Sequence, residues 1–180
     1  MGPVRVRRAV PADAPAIAAV NVASWHAAYR GLIAREHLES LDTDRLAGIW
    51  AGRLRGHLVR PGAGCLVAEP AEGPGGIVAY AGFAPAADPD DADRTVTDLE
   101  TFYSLPEVWG TGVNRRLWEE TLAAMTAGGT GHGVLWVLEG NARARRFYAA
   151  AGWRDTGAVT PTPLLGGALV VPAVLYRRDL

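Results

Sequence analysis

The stretch Leu135–Trp153, LWVLEGNARARRFYAAAGW, contains the signals of a strand that runs directly into a helix. Its apolar start predicts a short buried strand, and Asn141 is a residue type that commonly caps a helix N-terminus. Phe147 and Tyr148 fall on the apolar face of the helix that follows. Gly152 is expected to end that helix in the left-handed conformation. The stretch therefore predicts a strand–turn–helix unit with a phenol about two turns beyond the cap.

A second unit of the same kind precedes it at Leu105–Glu120, LPEVWGTGVNRRLWEE. Gly110 and Gly112 lie directly before a predicted helix, whose first N–H groups have no intrahelical partner and carry the positive end of the helix dipole. Such a helix end, approached by backbone without Cβ atoms, can bind a pyrophosphate. The dinucleotide fingerprint would need glycine at Arg115, and the Gly-Lys-Ser/Thr of a nucleotide-triphosphate loop is missing. Taken alone, two glycines before a helix are commonly just a turn.

The two stretches together carry a family resemblance. VWGTGVNRRL and NARARRFYAAAGW resemble the two coenzyme-binding motifs of the GNAT superfamily, the acetyl-CoA-dependent N-acetyltransferases. The similarity extends over most of the chain, because RRAVPADAPAIAAVNVASWHAAYRGLI resembles the first strand and helix pair of many bacterial members. The resemblance implies an α+β (mixed α/β) fold: a central mixed, mostly antiparallel sheet with splayed fourth and fifth strands, flanked by helices. It also implies acetyl-CoA as co-substrate, no metal, and a homodimer as the expected assembly.

In this family the pantetheine arm of the coenzyme lies between the splayed strands, here 98–104 and 134–139. Main-chain groups near Phe102 and Ser104 are expected to pair with the arm, and one N–H there to polarise the thioester carbonyl. N–H groups from Trp109 to Arg115 are expected to hold the pyrophosphate. The coenzyme-binding residues implied by the resemblance are Phe102, Ser104, Trp109, Gly110, Thr111, Gly112, Val113, Asn114, Arg115, Asn141 and Tyr148.

Two positions depart from the family pattern. The coenzyme loop usually begins with Gln or Arg, where this sequence has Trp109, and it usually ends with Gly or Ala, where this sequence has Asn114. Trp109 removes one side-chain hydrogen bond and leaves the backbone donors intact. Asn114 is bulkier than glycine but tolerates unusual backbone angles better than most residues. The expected consequence is weaker coenzyme binding, not its loss.

The implied chemistry is attack of a neutral amine on a thioester, with protonation of the departing thiolate. Tyr148 matches the family's general acid at the sulfur atom, and packing beside Phe147 is its alternative role. Asp98 matches a frequent carboxylate of the fourth strand, and Glu100, two residues further on, shares its strand face. Either carboxylate is a candidate base that acts through water, and plain surface exposure is the alternative for each.

The acceptor site is expected across the sheet from the coenzyme, at the turn between the first two helices. In the segment SWHAAYRG the candidate lining residues are Trp25, His26, Tyr29 and Arg30, with core packing as the alternative for the two aromatic residues. The acidic segment Ala84–Arg94 is predicted to be a loop, which either attracts a cationic amine or is simply solvated.

Hydrophobic periodicity predicts the remaining elements. The predicted strands are 4–10, 65–69, 77–83, 95–104, 134–139 and 170–178, and the predicted helices are 13–31, 42–54, 112–127 and 141–152. The strands 65–69 and 77–83 are expected to form a hairpin through a loose turn at 71–76, since AEGPGG is rich in turn residues.

Composition bounds the class of protein. A chain of 180 residues with 49% apolar residues fits one domain over 1–180. Its net charge of −1 does not provide the excess of positive charge typical of proteins that bind nucleic acid. The N-terminus has no long apolar run, which predicts neither a signal peptide nor a membrane span, hence a cytoplasmic location. Cys65 is alone and expected to be buried and inert, and the four histidines lack metal-ligand spacing. The absence of Lys suggests a bacterial source with a GC-rich genome.

These inferences predict an N-acetyltransferase that moves an acetyl group from acetyl-CoA to a primary amine, that of a small molecule, by direct transfer with Tyr148 as general acid. Two alternatives stay open. One is a protein N-terminal acetyltransferase of the ribosomal-protein type, and the other is a catalytically silent acyl-CoA-binding module. Retention of Tyr148 argues against the silent module, whereas Asn114 leaves it open.

Overall fold

The computed structural model describes residues 3–72, 75–164 and 167–180. Its strands are β1 (Val4–Arg8), β2 (Gly64–Pro70), β3 (Ala79–Asp88), β4 (Asp91–Ser104), β5 (His132–Leu138), β6 (Arg154–Leu164) and β7 (Leu169–Asp179). Its helices are α1 (Ala14–Ala28), α2 (Arg35–Glu39), α3 (Thr43–Val59), α4 (Val113–Ala127) and α5 (Ala142–Ala150). Every predicted helix and strand is present with shifted bounds, while α2 and β6 were not predicted.

The described strands form one sheet in the order β1–β2–β3–β4–β5–β7–β6. Neighbouring strands are antiparallel except for β4 and β5, which run parallel and pair only at Thr97 with Gly133 and at Asp98 with Val134. Beyond Asp98 the two strands separate, so the edge of β4 that faces β5 is left without a strand partner there. This confirms the predicted mixed, mostly antiparallel sheet with splayed fourth and fifth strands.

A bulge in β4 changes which side chains face which layer. In the pairing with β3, Gly82 lies opposite Thr101 and Ala84 opposite Asp98, so three steps along β4 match two steps along β3. The extra residue disturbs the strict alternation of the strand. Leu99 packs into the core beneath α4, whereas Glu100 and Thr101 both line a cavity beside α3. The bulge therefore brings two adjacent polar side chains to the same side of the sheet.

Helices cover both faces of the sheet, which explains why several strands are apolar throughout. Adjacent residues of β2 show this: Leu66 packs in the cluster under α4 and α5, and Val67 packs in the cluster under α1 and α3. Leu117 of α4 and Leu54 of α3 are almost fully buried on the two opposite faces. Within the described ranges, no helix is both long enough and apolar enough to cross a lipid bilayer.

The prediction that Ala84–Arg94 is a loop was wrong. β3 extends to Asp88 and β4 begins at Asp91, so the segment completes a long hairpin. Asp88 is only 4% exposed, because its carboxylate receives hydrogen bonds from the guanidinium of Arg177 on β7 (Nη1–Oδ2 3.0 Å). This contact holds the pKa of Asp88 down to about 2. The acidic composition of the segment predicted a solvated loop. Instead, an ion pair with Arg177, on a strand distant in sequence, buries Asp88, so that its carboxylate is not available to attract a cationic amine.

Strand β6 was not predicted, because its sequence contains residues that ordinarily interrupt strands. RDTGAVTPTPL includes Gly157, Pro161 and Pro163. β6 lies at the edge of the sheet, where proline is tolerated because one side of the strand needs no ladder hydrogen bonds. The antiparallel β2–β3 pair confirms the predicted hairpin, although Gly73 and Pro74 of its turn lie outside the described residues.

Candidate active site

A cavity of about 490 Å³, called here the first cavity, opens where β4 and β5 separate. It is lined by residues 99–104 of β4, by 136–138 of β5, by the turn before α4 and by the start of α5. Nine of the eleven residues predicted to bind coenzyme line it. They are Phe102, Ser104, Trp109, Gly110, Gly112, Asn114, Arg115, Asn141 and Tyr148.

The turn before α4 forms an open backbone cradle. Gly110 and Gly112 have φ angles of 78° and 92°, which side chains with a Cβ rarely adopt, and a Cβ at either position would meet no atom within 4 Å. Gly112 is the N-cap of α4, so the amides of residues 113–115 have no intrahelical acceptor. The empty space beside these donors is what a bound anion requires.

Two predicted members of the cradle contribute less directly. The Thr111 hydroxyl donates to the Val108 carbonyl (2.7 Å), and Val113 is buried in the core beneath α4. The amides of Trp109 and Thr111 close the turn by donating to the carbonyls of Pro106 and Val108. Of the predicted run of donors, the amides of Trp109 and Thr111 are therefore already engaged, whereas those at 113–115 are left open by the start of α4.

Trp109 is fixed by contacts that the sequence did not indicate. Its indole Nε1 donates to the Ser104 hydroxyl (3.0 Å) and to the Ser104 carbonyl (3.2 Å), and that carbonyl also accepts from the Ser24 hydroxyl (2.7 Å). On the ring face, the guanidinium carbon of Arg143 lies 3.2 Å from the centroid. The Ser104 carbonyl is thus already occupied by protein donors, and Ser104 serves to hold Trp109.

Sequence reasoning missed Arg143, which lines the first cavity from the first turn of α5. The available signal was its position two residues after the cap residue Asn141, where a cation is disfavoured by the helix dipole. Asn141 does cap α5, because its Oδ1 accepts from the amide of Ala144 (3.1 Å). A cation at such a helix start is stabilised when an anionic ligand lies nearby.

Asn114 carries a polar atom that lacks a partner. Its Oδ1 is buried and accepts no hydrogen bond from the described residues, although the side chain lines the first cavity. An orphaned acceptor costs free energy unless a ligand or water supplies a donor. Arg115 also lines the cavity, whereas the neighbouring Arg116 pairs with Glu120 (2.7 Å) on the outer face of α4.

Tyr148 lies on the cavity wall with its ring buried. The ring packs edge-on against Phe147 (5.4 Å between centroids) and Trp153 (6.3 Å). Burial, and after it the proximity of Tyr103, raises the pKa of the phenol above its ordinary value. Among the described residues, none forms a hydrogen bond with the Tyr148 hydroxyl. The phenol is therefore protonated at neutral pH, and its proton is free for a ligand.

A second cavity, of about 510 Å³, lies beside β4 among α1, α3, the end of β6 and Ala168 just before β7. The two cavities share four lining residues, called here the junction: Glu100, Thr101, Tyr103 and Leu164. A molecule in the second cavity and one in the first would meet at this junction, across the bulged part of β4.

The two candidate bases are placed differently. Glu100 belongs to the junction and is exposed, whereas Asp98 lines neither cavity. Burial, reinforced by the nearby charge of Glu100, raises the pKa of Asp98 to about 7. Because of the bulge, Glu100 and not Asp98 reaches the place where two ligands would meet.

The predicted acceptor residues divide into two pairs. Trp25 lines the second cavity, and Tyr29 lines the first, where its hydroxyl lies 3.0 Å from that of Tyr103. Burial, followed by the effect of Tyr103, raises the pKa of Tyr29. His26 and Arg30 line neither cavity: His26 lies about 100° around α1 from Trp25, and Arg30 lies beyond the end of the helix.

The single cysteine and the four histidines lie outside this site. Cys65 is buried, and its burial raises the pKa of the thiol to about 12, in agreement with the prediction of an inert residue. Within the described ranges, no three His, Cys, Asp or Glu residues cluster closely enough to hold a metal ion.

The chain is similar to known proteins both in sequence and in fold. A sequence model described as the acetyltransferase (GNAT) family matches residues 23–153. No curated protein matches the sequence. The PaiA N-acetyltransferase from Thermoplasma acidophilum, in complex with coenzyme A, superposes with a TM-score of 0.68 at 16% identity, covering 99% of this chain and 100% of that one.

Two further solved structures show the same similarity of fold. A GCN5-related N-acetyltransferase from Rhodopseudomonas palustris superposes with a TM-score of 0.74 at 20% identity, covering 100% of this chain and 98% of that one. A ribosomal-protein-alanine N-acetyltransferase from Brucella melitensis gives 0.66 at 20% identity, covering 98% and 99%. At these identities the structures establish a shared fold, whereas the family rests on the sequence match.

Proposed function

This chain belongs to the acetyltransferase (GNAT) family, and we propose that it moves an acetyl group from acetyl-CoA to the primary amine of a small molecule by direct transfer, with Tyr148 as general acid. The observation that carries the proposal is the junction, where the first and second cavities share Glu100, Thr101, Tyr103 and Leu164. Coenzyme in one cavity and amine in the other would need no covalent intermediate on the protein. The volume of the second cavity, about 510 Å³, lies within the range of small-molecule sites.

The first cavity has the chemistry that the coenzyme requires. The amides at 113–115, together with the guanidinium groups of Arg115 and Arg143, form an anion site suited to a pyrophosphate. The orphaned Asn114 Oδ1 supplies an acceptor for the amide or hydroxyl groups of the coenzyme. The open edge of β4 beyond Asp98 offers main-chain groups to the pantetheine arm near Phe102.

Acetyl-CoA supplies an activated acyl group: the amine nitrogen bonds to the acetyl carbon as the carbon–sulfur bond breaks, the nitrogen loses a proton, and the thiolate gains one. Glu100 is the candidate acceptor of the proton from nitrogen, directly or through water, because it lines both cavities. Tyr148 is the candidate donor toward sulfur, because its phenol is held protonated on the wall of the first cavity.

The test is thiol release from acetyl-CoA, followed across small primary amines and across peptides with free N-termini. The proposal expects amine-dependent release and acetylated small-molecule amines. Faster turnover of the peptides would replace it with the N-terminal acetyltransferase. Coenzyme binding without turnover of any amine or peptide would replace it with the silent acyl-CoA-binding module.

A further inference from the structure

The second cavity carries charges of both signs on different walls. Helix α3 supplies Arg45 and Arg53, and β4 supplies Glu100, all three exposed. Among the residues that the structure describes, no carboxylate lies within ion-pair distance of either guanidinium. Within the described residues, the cavity therefore presents two guanidinium groups and the Glu100 carboxylate without an ion-pair partner.

The two arginines are arranged along one face of α3. Arg45, Ile49 and Arg53 recur every four residues, which places them on the same side of the helix. The first and last are about 12 Å apart along the axis, and their long side chains can both reach toward Ile49 between them. Ile49 is 46% exposed, and the Arg53 guanidinium carbon lies 5.4 Å from the ring centroid of Trp50. This face thus combines cations with an apolar surface.

The other acidic residue of the cavity is already in use. The Oδ1 atom of Asp42 accepts from the amides of Asp44 (2.9 Å) and Arg45 (3.0 Å), and so caps α3. The Glu100 side chain makes no hydrogen bond to any of the described residues. Of these two carboxylates, Glu100 is the one without a hydrogen-bond partner among the described residues, and it alone lies at the junction.

Beside Glu100 is a second group that lacks a partner. Thr101 Oγ1 is buried and makes no hydrogen bond within the described part of the chain. A Cβ at position 82 would lie 2.7 Å from this oxygen, so Gly82 leaves it room. Thr101 lines both cavities, and a buried hydroxyl without a partner is suited to a ligand donor such as an ammonium or amine N–H.

We propose that the acceptor amine also carries an anionic group, a carboxylate or a phosphonate, joined to the amine through an apolar portion. The amine lies at the junction against Glu100 and Thr101, and the anion is held on α3 by Arg45 and Arg53. This inference names the substrate class of the proposed acceptor site and so rests on the proposed function. A dicationic amine would place a positive charge against two guanidinium groups that have no ion-pair partner among the described residues, which is unfavourable.

The test measures binding, so that it does not depend on turnover. Protein saturated with CoA, which lacks the acetyl group, is titrated calorimetrically with matched pairs of amines. 6-Aminohexanoate is compared with hexylamine, and 2-aminoethylphosphonate with propylamine. The expected result is that at least one anionic member binds about tenfold or more tightly than its partner, as charge-assisted hydrogen bonds predict. The pair that shows the larger preference identifies the anion as carboxylate or phosphonate.

Arg45→Gln and Arg53→Gln should each reduce that preference severalfold, whereas Arg55→Gln should preserve it. Arg55 lies on α3, is exposed and lines neither cavity, so it is a matched control. Equal binding within both pairs, no binding of any probe, or a preference that survives both arginine substitutions would overturn the inference. Thiol release with acetyl-CoA, measured on the same samples, tests the proposed function separately.

Discussion

The guanidinium group of Arg143 lies over the indole ring of Trp109, with 3.2 Å between the guanidinium carbon and the ring centroid. The contact joins the start of α5 to the turn before α4, the two elements that the coenzyme motifs occupy in sequence. Trp109 is in turn anchored to Ser104 on β4 through its indole nitrogen. Trp109, one of the two residues that depart from the family pattern, therefore holds a cation on the wall of the first cavity.

Arg143→Ala should weaken CoA binding about tenfold, since it removes one charged contact to a phosphate group. The loss should shrink at high salt, because an exposed charge contact is screened. Titration calorimetry with CoA measures both effects. Arg146→Ala is the control, since Arg146 is exposed on α5 and lines neither cavity. An equal loss in both variants would show that Arg143 acts only through the net charge of α5.

Gly112→Val should weaken CoA binding by at least about tenfold, because a branched side chain in the left-handed region distorts the cradle and fills its open space. The same substitution at Gly157 is the matched control. Gly157 also has a positive φ, 75°, and open space around it, but it lies on β6 away from both cavities. Each variant should lose about 1–2 kcal/mol of stability from backbone strain. Unaltered CoA affinity in the Gly112 variant would contradict the pyrophosphate assignment.

Tyr148→Phe should lower kcat about 100-fold while leaving CoA affinity near that of the wild type, since only proton donation to sulfur is removed. The substitution should be well tolerated, because the ring contacts with Phe147 and Trp153 remain. Steady-state kinetics and CoA titration separate the two effects. Tyr176→Phe, a buried phenol outside both cavities, is the control. A normal rate in the Tyr148 variant would remove its role as general acid.

Asp98→Asn should stabilise the protein at neutral pH but not at pH 4. The pKa of Asp98 is raised from 3.8 to about 7 in the folded chain, chiefly by burial. Between these values the unfolded chain is ionised and the folded chain is protonated, so raising the pH lowers stability by at most about 1.4 kcal/mol per pH unit. The asparagine variant lacks this loss.

Thermal unfolding from pH 4 to pH 8 measures the effect. The difference in Tm between Asp98→Asn and wild type should grow up to about pH 7 and then level off. Asp93→Asn, on the exposed start of β4, should show no such trend. A difference that is independent of pH would mean that Asp98 ionises normally in the folded protein.

Local signals predicted the parts of the site that depend on backbone geometry. Asn141 caps α5 and α4 begins directly after Gly112, as their residue types and positions indicate. The splayed strands came from the family resemblance and are confirmed by the short β4–β5 register.

The rest depends on contacts between segments distant in sequence. The position of Arg143 in the site becomes apparent only in the folded chain, where it contacts Trp109. Asp88 is buried because it pairs with Arg177 on β7. Glu100 lines both cavities and Asp98 lines neither, a difference that follows from a bulge, which strand alternation alone does not predict. The roles proposed for Tyr148 and Glu100 remain predictions.

The most direct measurement is the transfer of isotope from acetyl-CoA labelled with carbon-13 in its acetyl group, analysed by mass spectrometry with an amine acceptor present. The account predicts labelled acetyl-amine in equal amount to the CoA thiol released, and a strong loss of both in Tyr148→Phe. Label that appears only in free acetate, or that stays on CoA although the coenzyme binds, would contradict transfer between the two cavities.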